Sequence, residues 1–149
     1  MIQAGGLPPR SPYGLLQEDC VPDEWRVLVV CMMLNCTTRK QVEKVLPEFI
    51  KRWPGPREML ACSREELIDV IRPLGFANRR ASSLLKMTRH YLAGPWHHAK
   101  ELPGIGIYAA RAWEMFCRDI TGDEPPVDHA LVRVYHWRKL HEQRKEDPG

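Results

Sequence analysis

Two places in the sequence carry groups whose type and setting could do chemistry. Asp128 stands ahead of an apolar-periodic run, Leu131, Val134, Tyr135, Trp137 and Leu140, where the N-cap of a last long helix belongs. The unpaired N–H groups and positive dipole end of a helix start favour a charged carboxylate. Kept negative there, it can stabilise positive charge that develops in a transition state, or orient and activate a water. Upstream, Leu102-Pro103-Gly104-Ile105-Gly106-Ile107-Tyr108-Ala109-Ala110 reads as a tight turn opening a helix. Its glycines let the backbone fold sharply and present N–H groups to an anion such as a phosphate. Both features also have ordinary meanings. An Asp cap contributes about 1 kcal/mol with no chemistry at all, and a glycine turn before a helix is a common connection. Taken alone, the cap is the simpler meaning of Asp128.

The elements that must position these groups are helical. After Asp23, the stretch 24–34 is apolar almost all round and predicts a helix buried on most sides, although Val27, Val29 and Val30 would also suit a strand. Thr38 with Gln41 is a capping-box pattern, and Val42, Val45, Leu46, Phe49, Ile50 and Trp53 follow at helical spacing. Pro47 lies inside that helix and should kink or divide it. Ser63 with Glu66 opens a short third helix through Leu67, Val70 and Ile71, ended by Pro73 and Gly75. A fourth spans 78–93, with Ala81, Leu84, Leu85, Thr88, Tyr91 and Leu92 as its stripe and Gly94-Pro95 as its stop. Helices over 108–117 and from Asp128 onward complete the chain, joined by a loop containing Gly122 and Pro125-Pro126. No alternating strand with a hairpin signal occurs, so the fold class is all-α. Residues 1–11 read as a flexible lead-in, 12–145 as one domain and 146–149 as a tail.

Composition narrows the classes. A chain of 149 residues, 44% hydrophobic and 28% charged, matches one globular domain. Its longest apolar run, 27–34, is far short of the roughly 20 residues a membrane helix needs, and no secretory signal pattern opens the sequence, which predicts an intracellular protein. A net charge of +3 is compatible with a nucleic-acid partner without arguing for one. The five cysteines, Cys20, Cys31, Cys36, Cys62 and Cys117, are scattered with no C-x-x-C spacing, and the six histidines form no ligand pattern, so no metal is implied.

Several segments in one order are more specific than any one of them. Pro9-Arg10-Ser11-Pro12, Leu16-Gln17-Glu18, Trp25 with the apolar run ending Leu34-Asn35, Pro73-Leu74-Gly75, Leu102-x-Gly104-Ile105-Gly106-x-Tyr108, Phe116-Cys117 and Asp128-His129-x-Leu131 with Tyr135 span nearly the whole chain. Together they resemble the helix-hairpin-helix DNA glycosylases of base excision repair, in particular the thymine/uracil mismatch glycosylases of the methyl-CpG-binding-domain type. The resemblance implies a compact helical bundle with a DNA-binding cleft between two helical halves. It also implies a monomeric enzyme, nuclear in a eukaryote, that acts on double-stranded DNA with a G·T or G·U mismatch. The enzyme flips thymine or uracil out and hydrolyses its N-glycosidic bond, leaving an abasic site.

The resemblance assigns Asp128 as the catalytic carboxylate and Gln17 and Tyr108 to the pocket for the flipped pyrimidine. Phe76 falls where such proteins insert an apolar wedge, and the backbone of Gly104, Ile105 and Gly106 would hold a phosphate. Asn35, Cys36, Arg79, Arg80 and His129 are candidate DNA contacts. Arg10, Arg39, Lys40 and Arg111 join Arg79 and Arg80 as candidates for phosphates. Several iron–sulfur members carry a four-cysteine loop after the catalytic Asp. No cysteine follows Cys117 here, so neither that cluster nor another cofactor is implied. Bifunctional relatives have a lysine at the place of Tyr108, and a phenol does not form the corresponding Schiff base, which implies a monofunctional enzyme.

The chain departs from the pattern at three positions. Cys36 follows the Leu-Asn pair where members commonly have Arg, Ile107 occupies a hairpin position that is often basic, and Ala130 follows Asp128-His129. Two other readings therefore stand beside the first: a DNA-structure-binding module without turnover, and an adenine-mismatch glycosylase, against which the absent iron–sulfur cysteines count.

Overall fold

The computed structural model describes residues 8–146, which form eight α-helices, two 3₁₀ turns and, among those residues, no strand. Residues 1–7 of the expected lead-in and 147–149 of the expected tail lie outside the described residues. The lead-in ends earlier than the sequence suggests, because Ser11 is buried at 5% exposure. Its N–H and its hydroxyl each donate to the Glu18 carboxylate at 2.6 Å, and the Leu15 N–H adds a third bond at 3.2 Å. A carboxylate taken out of water needs such donors. This one folds the segment back on itself and opens α1 (Leu16–Cys20), which at five residues is too short to show a helical period in the sequence.

The apolar stretch forms α2 (Glu24–Leu34), opened by Asp23, whose side chain accepts from the Arg26 N–H at 3.0 Å. Trp25, Val27, Leu28, Val29, Val30, Cys31 and Met33 are all buried, so α2 has almost no face left for solvent. Then come α3 (Arg39–Arg52), α4 (Pro56–Leu60), α5 (Arg64–Ile71), α6 (Ala77–Ala93), α7 (Ile107–Cys117) and α8 (His129–Glu146). Thr38 and Ser63 make the capping boxes expected of them. Pro47 leaves α3 undivided, because both it and Glu43, whose carbonyl it fails to bond, lie on the exposed side, where water can take the missing donor's place. The short α4 begins with Pro56 at its first turn and, like α1, is too brief to announce itself by period.

Contacts fall into two groups that share α2. On one side α3 to α6 pack among themselves, and on the other α1 packs on α7; α2 touches both α3 and α6 and both α1 and α7. The indole N–H of Trp25 donates to the Thr88 hydroxyl at 3.0 Å, and its ring stacks on Phe49 at 6.2 Å, locking α2 to α6 and α3. Arg138, buried on α8, donates to the Met115 carbonyl of α7 and lies over the Phe116 ring. No helix among the described residues is long and apolar enough to cross a membrane.

Burial separates the thiols. It pushes Cys20 up to about 11 and Cys31 and Cys117 each up to about 12, whereas Cys36 is exposed and Cys62 half-buried. The thiolate is the form that attacks a disulfide reagent. At pH 8 the native protein should therefore react fastest at Cys36, more slowly at Cys62, and at the other three only on unfolding. Loss of the fast phase in Cys36→Ser, followed by absorbance, checks this order.

Candidate active site

The hairpin is built as its residue types require. Leu102 and Ile105 are buried and anchor the turn, with the Ile105 N–H donating to the Leu102 carbonyl at 3.3 Å. Gly104 has φ +82, a conformation that calls for glycine, and a Cβ there would stand 3.0 Å from the Met32 methyl, which would have to give way. Gly106 precedes α7 as N-cap without any side-chain cap. The first-turn N–H groups of α7 are thus open to an anion, and Ile107 beside them is 87% exposed. Ile105 serves the turn as an apolar anchor; what it offers a phosphate is backbone.

Asp128 caps α8 as its position predicts. Its Oδ2 accepts from the Ala130 N–H at 3.0 Å and from the Leu131 N–H at 2.9 Å, leaving Oδ1 for the adjoining cavity. That cavity, about 450 Å³, is lined by Leu16, Gln17, Leu34, Thr37, Tyr108 and Asp128, with Tyr13, Arg39, His129 and Arg133 also in its wall. Gln17 is no exposed loop residue: it sits on α1 at 2% exposure, and its Nε2 donates to the Tyr108 hydroxyl and to Cys31 Sγ at 3.7 Å. Burial, reinforced by the neighbouring Cys31 and Asp128, holds the Tyr108 phenol far above its ordinary value, so it stays a neutral O–H. With Nε2 occupied, Gln17 offers Oε1 as an acceptor, and the Tyr108 hydroxyl, which also faces the Cys31 thiol, can turn its O–H to a ligand as a donor. An acceptor beside a donor complements an imide edge, in which an N–H lies next to a carbonyl.

Tyr108 also lines a second space, a cleft of about 550 Å³ bounded by α2, α6 and the hairpin. Asn35, Cys36, Phe76, Arg79, Arg80, Gly104 and Gly106 all face it. Phe76 follows Gly75 in the left-handed region at φ 49 and is 67% exposed. Such a backbone costs about 1–3 kcal/mol for a bulky residue, and here it projects an apolar ring from the start of α6. The Arg79 guanidinium lies 5.8 Å above that ring. Arg80 donates from Nε to the Gly75 carbonyl at 2.8 Å and from Nη1 to the Met32 carbonyl at 3.3 Å, tying the Phe76 turn to α2.

Most candidate residues thus gather into two adjoining spaces: Gln17, Tyr108, Asp128 and His129 in the pocket, and Asn35, Cys36, Phe76, Arg79, Arg80, Gly104 and Gly106 in the cleft, while Ile105 is buried under the turn and Lys40 is exposed on α3 outside both. Besides Arg80, three of the six cations considered for phosphates are engaged within the chain. Arg10 pairs with Asp19 and lines a separate recess with Arg138, and Arg111 turns its Nη2 to the Thr121 and Glu124 carbonyls. Arg39 reaches the pocket wall, but it is held by Glu43 at 2.8 Å and the Gly14 carbonyl at 2.9 Å. Sequence reasoning missed Cys31 behind the pocket and the pair at its rim, where the Arg133 guanidinium stacks 4.4 Å over Tyr13. Arg133 has a signal, since it falls one turn after His129 on the same helix face; Tyr13, in an irregular segment, has none. Among the described residues no group of three or more His, Cys, Asp or Glu side chains could hold a metal ion.

Comparison with known proteins identifies the family of the chain. Residues 29–148 match the family model for HhH-GPD superfamily base excision DNA repair proteins. A methyl-CpG-binding domain protein 4-like protein of Arabidopsis thaliana is 37% identical over 134 residues, covering 90% of this chain and 30% of that protein. A thymine-DNA glycosylase of Aeropyrum pernix is 33% identical over 119 residues, covering 75% of this chain and 52% of that one. The chain therefore spans about a third to a half of the length of these relatives. The solved structure of a thermostable thymine-DNA glycosylase superposes with a TM-score of 0.68 at 22% identity, over 83% of this chain and 59% of that one, and shows the shared fold. With the family model covering most of its length, the chain belongs to the HhH-GPD superfamily of base excision DNA repair proteins.

Proposed function

We propose that this chain is a monofunctional DNA glycosylase that hydrolyses the N-glycosidic bond of thymine or uracil mispaired with guanine in duplex DNA. One observation carries the reading: a capped carboxylate, Asp128, shares a pocket with an acceptor–donor pair, Gln17 Oε1 and the Tyr108 O–H, suited to an imide edge. Thymine and uracil present that edge. The names of the similar proteins, a thymine-DNA glycosylase among them, support the same substrate class.

In this reading the duplex lies across the cleft, the hairpin N–H groups hold a phosphate, and Phe76 enters the stack while the pyrimidine swings into the pocket. Gln17 accepts from N3–H and orients the ring, while the hydrogen bond donated by Tyr108 to a neighbouring carbonyl favours electron density moving onto the departing base. As the C1′–N1 bond lengthens, the sugar gains positive charge that Asp128 stabilises. A water oriented by Oδ1 then gives its hydroxide to C1′ and its proton to the carboxylate or the leaving base. No lysine lines either space, so no amine is at hand for a Schiff base and the strand is left uncut. Neither a metal nor another cofactor enters the proposed reaction.

Single-turnover assays at enzyme excess on G·T, G·U and G·C duplexes test the proposal. Abasic product from the first two and none from the third is expected, whereas tight binding without product would favour a DNA-structure-binding role. Asp128→Asn retains the shape and much of the cap but loses the charge, so excision should fall on the order of 10²-fold or more with binding retained.

Phe76→Ala should slow excision from a paired duplex more than from single-stranded uracil, because a wedge acts on opening the stack. A core role would instead cost about 3–5 kcal/mol of stability and lower both rates alike, so melting temperature and the two rates decide.

Binding should weaken with added salt, log affinity falling roughly linearly with log salt at a slope of about −0.9 per phosphate neutralised. Arg79 and Arg80 in the cleft motivate this, and Arg79→Met should make the slope shallower by about one, measured by fluorescence anisotropy.

A further inference from the structure

We infer that Arg111 is a positioning residue for Asp128: seated against Gly122 and Tyr135, its guanidinium clamps the loop 118–127 and thereby sets where the carboxylate stands across the pocket from Tyr108. The inference rests on the proposed hydrolysis for its effect on rate, but its geometry stands by itself. The loop has no regular structure and ends directly at Asp128. Its carbonyls are nevertheless engaged. Arg111 Nη2 donates to the Thr121 carbonyl at 2.8 Å and to the Glu124 carbonyl, and the Tyr135 hydroxyl donates to the Asp123 carbonyl at 2.9 Å. The Thr121 hydroxyl adds a bond to the Glu142 carboxylate of α8 at 3.0 Å.

The guanidinium lies close to both neighbours. Its Cζ is 5.9 Å from the Tyr135 ring centroid. A Cβ at Gly122 would come within 2.7 Å of Nη2 and 3.0 Å of Cζ, while φ there is +85. The conformation favours glycine, and a side chain there would push the guanidinium from its place. A lysine ammonium could reach one of the carbonyls but would lack the planar fork.

Arg111 stands one turn after Tyr108 on α7, so a single rigid helix carries both the pocket phenol and the clamp. From Glu124 only Pro125, Pro126 and Val127 intervene before Asp128, and the prolines have fixed φ. The cap bonds of Ala130 and Leu131 fix the carboxylate to α8, while the clamp fixes the start of α8 to α7. Without it the carboxylate can shift relative to Tyr108 although both residues persist, and a displacement of the order of 1 Å at a reacting centre can cost about 10²-fold.

Arg111→Met, Arg111→Lys and Gly122→Ala test the clamp against the unmodified chain. Maximal single-turnover rate on a G·U duplex, duplex affinity in an Asp128→Asn background, and exchange of the Ala130 and Leu131 amides are measured. Arg111→Met should lower the maximal rate by about 10- to 100-fold, leave affinity within about twofold, and speed exchange of both amides. Arg111→Lys should recover part of the rate, and Gly122→Ala should reproduce the loss with Arg111 in place. An Arg111→Met rate within about twofold of the unmodified chain, with exchange unchanged, would overturn the inference. So would rate and affinity falling together with melting temperature and no recovery by lysine. If the unmodified chain makes no abasic product, the proposed function fails, and amide exchange alone then decides the clamp.

Discussion

The structure depends on the need to hide α2 on every side. Burying each large apolar side chain contributes about 1.5–3 kcal/mol relative to exposure, and α2 carries seven buried residues with no polar stripe to spare for solvent. Two groups of helices must therefore close around it, and the spaces they leave are those that hold the candidate residues. Cys31 forms the back of the Gln17 site, Leu34 a wall of the pocket, and Asn35 and Cys36 the edge of the cleft. The site is thus assembled at the places where the covering of one helix is incomplete.

Inside that apolar frame, the polar groups are few and each is committed. Gln17 spends its amide hydrogens on Tyr108 and Cys31, Asp128 spends one oxygen on two backbone amides, and Arg80 spends donors on two carbonyls. In a poorly hydrated setting such bonds strengthen and an unpaired group is costly, so the atoms left over have defined roles. Around Asp128 the atoms left over are one carboxylate oxygen, one amide oxygen and a phenolic hydroxyl, with the side chains of Tyr13, Arg39 and Arg133 farther out in the wall.

Much of this was legible because it is local. The helices α2, α3, α5 and α6 announce themselves by period and caps, and the hairpin and the Asp128 cap follow from residue type at fixed offsets. What escaped is nonlocal or brief. The helices α1 and α4 have five residues each, less than the span over which a period can be read. Ser11 looked like lead-in because its partner Glu18 lies across a turn, and Pro47 looked like a break because its exposed setting is invisible in one dimension. Arg111 looked like a cation for phosphate. Only the folded chain shows the loop carbonyls that take its donors. The roles given to Gln17, Tyr108 and Phe76 came from family likeness, and the coordinates bring the first two together with Asp128 while setting Phe76 in the adjoining cleft.

Tyr108 stands in the wall of both the pocket and the cleft, so one side chain borders both spaces. A ligand that shifts or steadies the ring from the cleft side alters what the pocket offers, and a ligand in the pocket does the same in return. Linkage would make the two effects equal: whatever factor a ligand in the cleft applied to affinity in the pocket, the pocket ligand would apply to affinity in the cleft. In the proposed reaction, a single phenol ring shared between two chambers would then serve as a reciprocal gauge, occupancy of one read out as a change in the other by the same measure.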